Sequence, residues 1–247
     1  MNIQQFKTHE ELSQASAEYV FQKIKQGIEE KGSFNLGLAT GASPKRTYEI
    51  VIEKLGESKL DLSNFHTFNL DEYHPMWQGH KRSYFQEMYQ CFWKPLNAVC
   101  PTFEIPNGHI LNGENPKAEF ECRIYEKMIQ KAGGIDLQIL GLGINGHIGF
   151  NEPGSVGNSR TRQIDLTAET REANKKYFDD DLEKVPTHGL TMGIETILEA
   201  KEIVMIVTGE NKKDIFEKMK KLKKPTPKIP ASFLLTHPKT AFYSDPP

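Results

Sequence analysis

Leu12, Ala15, Tyr19, Val20, Ile24 and Ile28 recur at helical spacing, with polar residues between them. That periodicity predicts an amphipathic helix with one buried stripe. Thr8 and Glu11 read as its capping box, and Gly32 closes it. The next segment changes period. Phe34 to Thr40 is a short apolar run, the pattern of a buried strand. Gly41 breaks it, Ser43 is a candidate N-cap, Pro44 suits a first helical turn, and Tyr48, Val51 and Leu55 continue the helix.

Further strands are predicted at Phe65 to Leu70, Ile135 to Gly143, Glu202 to Gly209 and Thr240 to Ser244. A helix rich in Glu and Lys precedes the second of these. Nearly continuous apolar strands separated by helical stretches argue for a mainly parallel sheet covered on both faces. No internal repeat is visible. The chain therefore reads as one α/β domain spanning residues 1–247. Glu217 to Lys228 is lysine-rich and runs into prolines. Without interleaved aromatics, it reads as a solvated helix end and loop rather than a nucleic-acid patch.

Composition narrows the function classes. Apolar residues make up 37% and charged residues 26% of the 247, a globular balance. The net charge of −2 gives no field for nucleic acid or an acidic membrane. No signal-peptide core or membrane span is seen, so a cytoplasmic location is expected. Cys91, Cys100 and Cys122 are too scattered for a disulfide framework or a zinc site and read as reduced thiols.

Three motifs fall where predicted strands end, which is where doubly wound sheets bind ligands. Thr40-Gly41-Ala42-Ser43-Pro44 is a strand-to-helix turn whose amides and helix dipole suit a phosphate, although many proteins have such turns. Asp71 and Glu72 follow directly on a strand, and alternation sends their side chains different ways. One can serve as a base in a site while the other packs or caps. Gly141 opens the third motif, a glycine-dense run through Asn145 and His147 to Glu152 and Gly154. Its glycines let backbone approach a ligand. A histidine can act as acid and base in turn, and Glu152 is close enough to His147 to orient it, against the plainer reading of a structural histidine.

LGLATGASP, FNLDEY, LGLGINGHIGFNEPG, SRTR and TREAN, taken in order, resemble the glucosamine-6-phosphate deaminase family. The resemblance runs from about Leu36 to Pro246. It implies a modified Rossmann-like fold with no metal or nucleotide cofactor. It implies isomerisation and deamination of an amino-sugar phosphate. Asp71 matches the carboxylate that shuttles a proton between C2 and C1. His147 matches the histidine that assists ring opening, with Glu152 as its partner. Asn145 stands where members carry Asp or Asn. Thr40, Gly41, Ala42, Ser43 and Gly141 match the ligand-facing backbone. Arg171 and Lys212 match basic residues that clamp the phosphate. Residues 158–186 correspond to a mobile lid.

Departures from the family bear on specificity and regulation. His74, Trp77 and His80 replace a Gly-Leu-Pro-type stretch and are expected to form the rim. Ile229 to His237 resembles the galactosamine-6-phosphate branch, which keeps that sugar open as substrate. Two further functions fit the same fold: a 6-phosphogluconolactonase and a non-catalytic sugar-phosphate sensor. Arg162 matches one allosteric arginine, but Ile164 stands where its neighbouring lysine would be. Losing that cation predicts a non-allosteric enzyme. The oligomeric state, monomer or homo-oligomer, is left open.

Overall fold

A computed structural model describes residues 2–245; the far end of the resemblance, Pro246, lies outside the described residues. The strands are β1 (Asn2–Gln5), β2 (Phe34–Leu38), β3 (Phe65–Asn69), β4 (Asp71–His74), β5 (Gly108–His109), β6 (Leu137–Gly141), β7 (Arg162–Asp165), β8 (His188–Thr191), β9 (Glu202–Val207) and β10 (Thr240–Ser244). The helices are α1 (His9–Lys31), α2 (Ala42–Ser58), α3 (Tyr84–Met88), α4 (Lys94–Val99), α5 (Ala118–Lys131), α6 (Ala168–Asn174), α7 (Ile194–Leu198) and α8 (Lys213–Lys220).

Seven strands form a parallel sheet in the order β1-β10-β9-β6-β2-β3-β5. Its central strands are buried on both faces, which explains their continuous apolar sequence. One face packs Leu12, Val20 and Ile24 of α1 against Val51 and Leu55 of α2 and Trp93. The other packs Tyr125 and Ile129 of α5 against Ile197, Met205 and Phe216. This is the expected modified Rossmann-like fold.

The chain runs from β2 outward to β3 and β5, then returns to β6 on the opposite side of β2. The boundary between β2 and β6 is therefore the switch point where such sheets open a ligand crevice.

A second sheet, antiparallel and ordered β4-β8-β7, stands beside the first. Its small core joins Tyr73, Phe150, Phe178 and Val185. The sequence reading did not anticipate this sheet. Edge strand β1 was missed for a related reason: all four of its residues are exposed, so no apolar pattern marks it.

Local differences have clear causes. The Thr8 hydroxyl accepts from the Glu11 amide as expected, but Glu11 accepts from the Lys7 amide rather than that of Thr8. Helix α2 begins at Ala42, with Gly41 at the N-cap and φ of 104°. Ser43 is thus inside the first turn, and its hydroxyl is left for the crevice. Pro44 remains in that turn, where a missing amide costs nothing. Lys221, Lys223, Lys224 and Lys228 are exposed, as a solvated helix end requires. All three cysteines are free.

Candidate active site

Four adjacent strands, β9, β6, β2 and β3, deliver their carboxyl ends to one cavity of about 1000 Å³. Thr40, Gly41, Ala42 and Ser43 line it after β2, and Asp71 after β3. Gly141, Asn145, His147 and Glu152 line it after β6, and Lys212 after β9. Ten of the eleven expected site residues are thus together. Arg171 is the exception. It does not line the cavity; its guanidinium donates to the carbonyls of Leu182 (2.8 Å) and Val185 (3.2 Å).

Asp71 and Glu72 separate as strand alternation requires. The Asp71 carboxylate faces the crevice beside the Thr40 hydroxyl. Glu72 turns the other way and accepts from the amides of Tyr73, Tyr84 and Phe85 at 2.8–3.0 Å. It thereby fixes the start of α3 to β4. Burial, with the charges of Glu72 and Glu87, pushes Asp71 up to about 8; the Thr40 hydrogen bond pulls the other way. Burial raises Glu72 to about 7 despite its three amide donors.

The loop after β6 builds a hydrogen-bonded chain. The Asn145 Oδ1 accepts from the His147 amide at 3.1 Å, and its Nδ2 donates to Glu152 at 2.7 Å. This fixes which end of the amide is which. The His147 Nδ1 lies 2.8 Å from the same Oδ1, an acceptor, so Nδ1 carries the proton. Nε2 makes no hydrogen bond among the described residues. Glu152 also lies 3.5 Å from Nδ1 and accepts from the Thr170 hydroxyl at 3.2 Å. Burial pushes Glu152 up, but the hydrogen bonds from His147, Asn145 and Thr170 win, so its carboxyl titrates below the usual range.

Two glycines permit this packing. A Cβ on Gly143 would fall 2.3 Å from the His147 ring. Gly149, at φ of 56°, brings backbone so close that a Cβ would lie 3.2 Å from the Asp71 carboxylate.

Residues 80–82 and 177–179 are joined. His80 stacks on Phe178 at 5.8 Å, Arg82 lies over Tyr177, and Lys81 pairs with Asp179 at 3.3 Å. None of His74, Trp77 and His80 lines the cavity. Thr170 and Tyr84 line the cavity and were missed by the sequence reading. The Thr167-x-x-Thr170 helix cap was the signal for the first, since the Thr167 hydroxyl accepts from the Thr170 amide. Among the described residues, no group of three or more His, Cys, Asp or Glu is placed to hold a metal ion.

The switch-point crevice and its polar lining define an α/β protein built to hold a small polar ligand at the carboxyl edge of its sheet. The chain belongs to the family of glucosamine-6-phosphate isomerases and 6-phosphogluconolactonases, whose pattern matches residues 7–242. It is 43% identical to the glucosamine-6-phosphate deaminase of Shouchella clausii, over 99% of this chain and 95% of that one. Glucosamine-6-phosphate deaminase 2 of Bacillus subtilis is 41% identical, over 93% and 88%. A solved monomeric glucosamine-6-phosphate deaminase superposes with a TM-score of 0.89 at 36% identity, covering 98% of this chain and 96% of the other. A 6-phosphogluconolactonase from Thermotoga maritima shares the fold, with a TM-score of 0.74 at 21% identity over 98% and 97%.

Proposed function

We propose that this chain converts glucosamine 6-phosphate and water into fructose 6-phosphate and ammonia. Its similarity to several glucosamine-6-phosphate deaminases supports the reaction. The observation that carries the reading is spatial. A lone buried carboxylate, a histidine with a free Nε2 and a turn of helix-start backbone open into one cavity.

In this reading the 6-phosphate sits on the Thr40 to Ser43 turn, with Lys212 as its cation. The phosphate lies far from the reacting carbons, so its binding energy serves to position them. His147 carries a proton from the O1 hydroxyl to O5 through Nε2, and the ring opens. Asp71, as carboxylate, takes the proton from C2. The C–H electron pair forms the C1–C2 double bond, and O1 takes a proton released by the C2 ammonium. Asp71 returns its proton to C1 while the nitrogen lone pair forms a C2 iminium. Water adds at C2 and ammonia leaves. Each step uses acid–base groups alone. The substrate ammonium also favours the ionised form of Asp71, which burial disfavours in the empty site.

Residues 158–186 act as the lid in this account, and Arg171 holds its far side through the Leu182 and Val185 carbonyls. Galactosamine 6-phosphate is the second substrate to test. The segment from Ile229 that resembles that branch packs on the catalytic loop, where the Ala231 amide donates to the Gly146 carbonyl at 2.8 Å. Ammonia release from both sugar phosphates, with chelator present, tests the proposal. Release from glucosamine 6-phosphate is expected. Hydrolysis of 6-phosphogluconolactone without ammonia from either amino sugar would replace this reading with the lactonase one.

A further inference from the structure

One amide of the phosphate turn is already occupied by an anion. The Glu87 carboxylate, on α3, accepts from the Gly41 amide at 3.2 Å and pairs with Lys45 at 3.1 Å. A phosphate drawn to the same turn needs that donor. Two anions cannot share it, because like charges a few ångströms apart repel strongly at a partly buried site. The Glu87 side chain is 28% exposed, so it has room to leave.

We propose that Glu87 is the resident anion of the phosphate turn: its carboxylate holds the Gly41 amide in the empty site and yields it to an incoming sugar phosphate. This rests on the sugar-phosphate reading of the cavity and adds a specificity device to it. A ligand must displace Glu87 to enter. A sugar phosphate has further anchors in Lys212 and the polar lining to offset that cost. Inorganic phosphate has only the turn and the cation, so it is held off. The turn therefore discriminates between a phosphate ester and the free ion, although both present the same oxygens.

The same charge acts on the base. Asp71 faces Glu72 from its own strand, Glu87 and the Tyr84 phenol from α3, the Tyr125 phenol from α5, the neighbouring Tyr73 phenol, and the Thr40 hydroxyl. Burial keeps the three phenols neutral at working pH, so Glu72 and Glu87 are the charges that oppose its ionisation. Glu87 itself faces Lys45 of α2 and two groups that burial keeps neutral, Tyr48 and Cys91.

The test is the isosteric Glu87→Gln variant of the full chain, measured by calorimetry with inorganic phosphate and by steady-state kinetics. Phosphate should bind at least about threefold more tightly at low salt, with the gain shrinking as salt is added. KM for the sugar phosphate should fall, and the acid limb of kcat/KM should move to lower pH. Glu87→Asp, which keeps the charge, should show neither limb shift nor tighter phosphate. A folded Glu87→Gln protein with unaltered phosphate affinity overturns the proposal. Lys45→Met gives an independent arm: freeing Glu87 from its cation should weaken phosphate binding and move the limb to higher pH, and unaltered values there also overturn it. Phosphate binding needs no turnover. Tightened binding by a protein that releases no ammonia would remove the deaminase reading and keep the role of Glu87.

Discussion

Asn145 holds His147 in one tautomer: its Oδ1 lies 2.8 Å from the ring Nδ1, while its Nδ2 is spent on Glu152. An amide at this position cannot pass a proton along, so Asn145 itself is no proton relay between Glu152 and the ring. Asn145→Ala removes these two hydrogen bonds and the one from the His147 amide, and loosens the hold on the ring. Turnover should fall by about tenfold to a hundredfold while KM changes little. Parallel kcat and KM measurements check this, and a rise in KM alone would place Asn145 in binding.

Asp71 should make its own cost visible in stability. Its carboxyl is raised from 3.8 to about 8 in the folded chain, chiefly by burial. A raised group of this kind contributes stability that is fully present below about 4 and is lost as pH rises through about 8. Asp71→Asn cannot ionise and keeps that contribution. The variant should therefore melt at a higher temperature than the parent at pH 8.5, with the gap closing by pH 4. A constant gap across that range would mean that Asp71 is not desolvated.

Glu72 is structural, unlike the proposed base beside it. Three amides depend on its carboxylate, and two of them belong to α3 on a separate segment. Glu72→Ala leaves them without partners in a buried site. A loss of about 3 kcal/mol or more in denaturant unfolding is expected. An undiminished midpoint would show that water replaces the carboxylate.

Lys212 and Arg171 should behave differently, although motif context groups them. Lys212 lines the cavity and is half-buried, with burial lowering its ammonium. Lys212→Ala should raise KM by about tenfold. Arg171 ties α6 to residues 182–185, and its Nε is buried without a partner among the described residues. Arg171→Ala should speed proteolytic cutting within 175–185, and substrate should slow that cutting. Equal resistance in variant and parent would mean that Arg171 does not hold residues 182–185 in place.

Much of this was legible in the sequence because the central strands are continuously apolar. Phe34, Leu36 and Leu38 in β2, or Ile203 to Val207 in β9, announce themselves, and the motifs at their ends then fall on one edge. The division between Asp71 and Glu72 was legible from alternation. The small sheet was not. DEYH, RQID and HGLT are short and polar, and their pairing depends on partners far along the chain: Asp71 lies opposite Thr191, and Arg162 lies opposite the same residue. Glu87 was invisible for a similar reason. Only the approach of α3 to the Gly41 turn, 46 residues earlier, gives its charge a meaning.

The central claim is that Asp71 drives an aldose–ketose isomerisation that ends in loss of ammonia. Its most direct test is to incubate glucosamine 6-phosphate with the parent chain and with Asp71→Asn, measuring ammonia and fructose 6-phosphate together. The account predicts equal amounts of both products from the parent and a drop of about a hundredfold or more in the variant, with substrate binding retained. Undiminished ammonia from Asp71→Asn, or no ammonia from the parent, would contradict it.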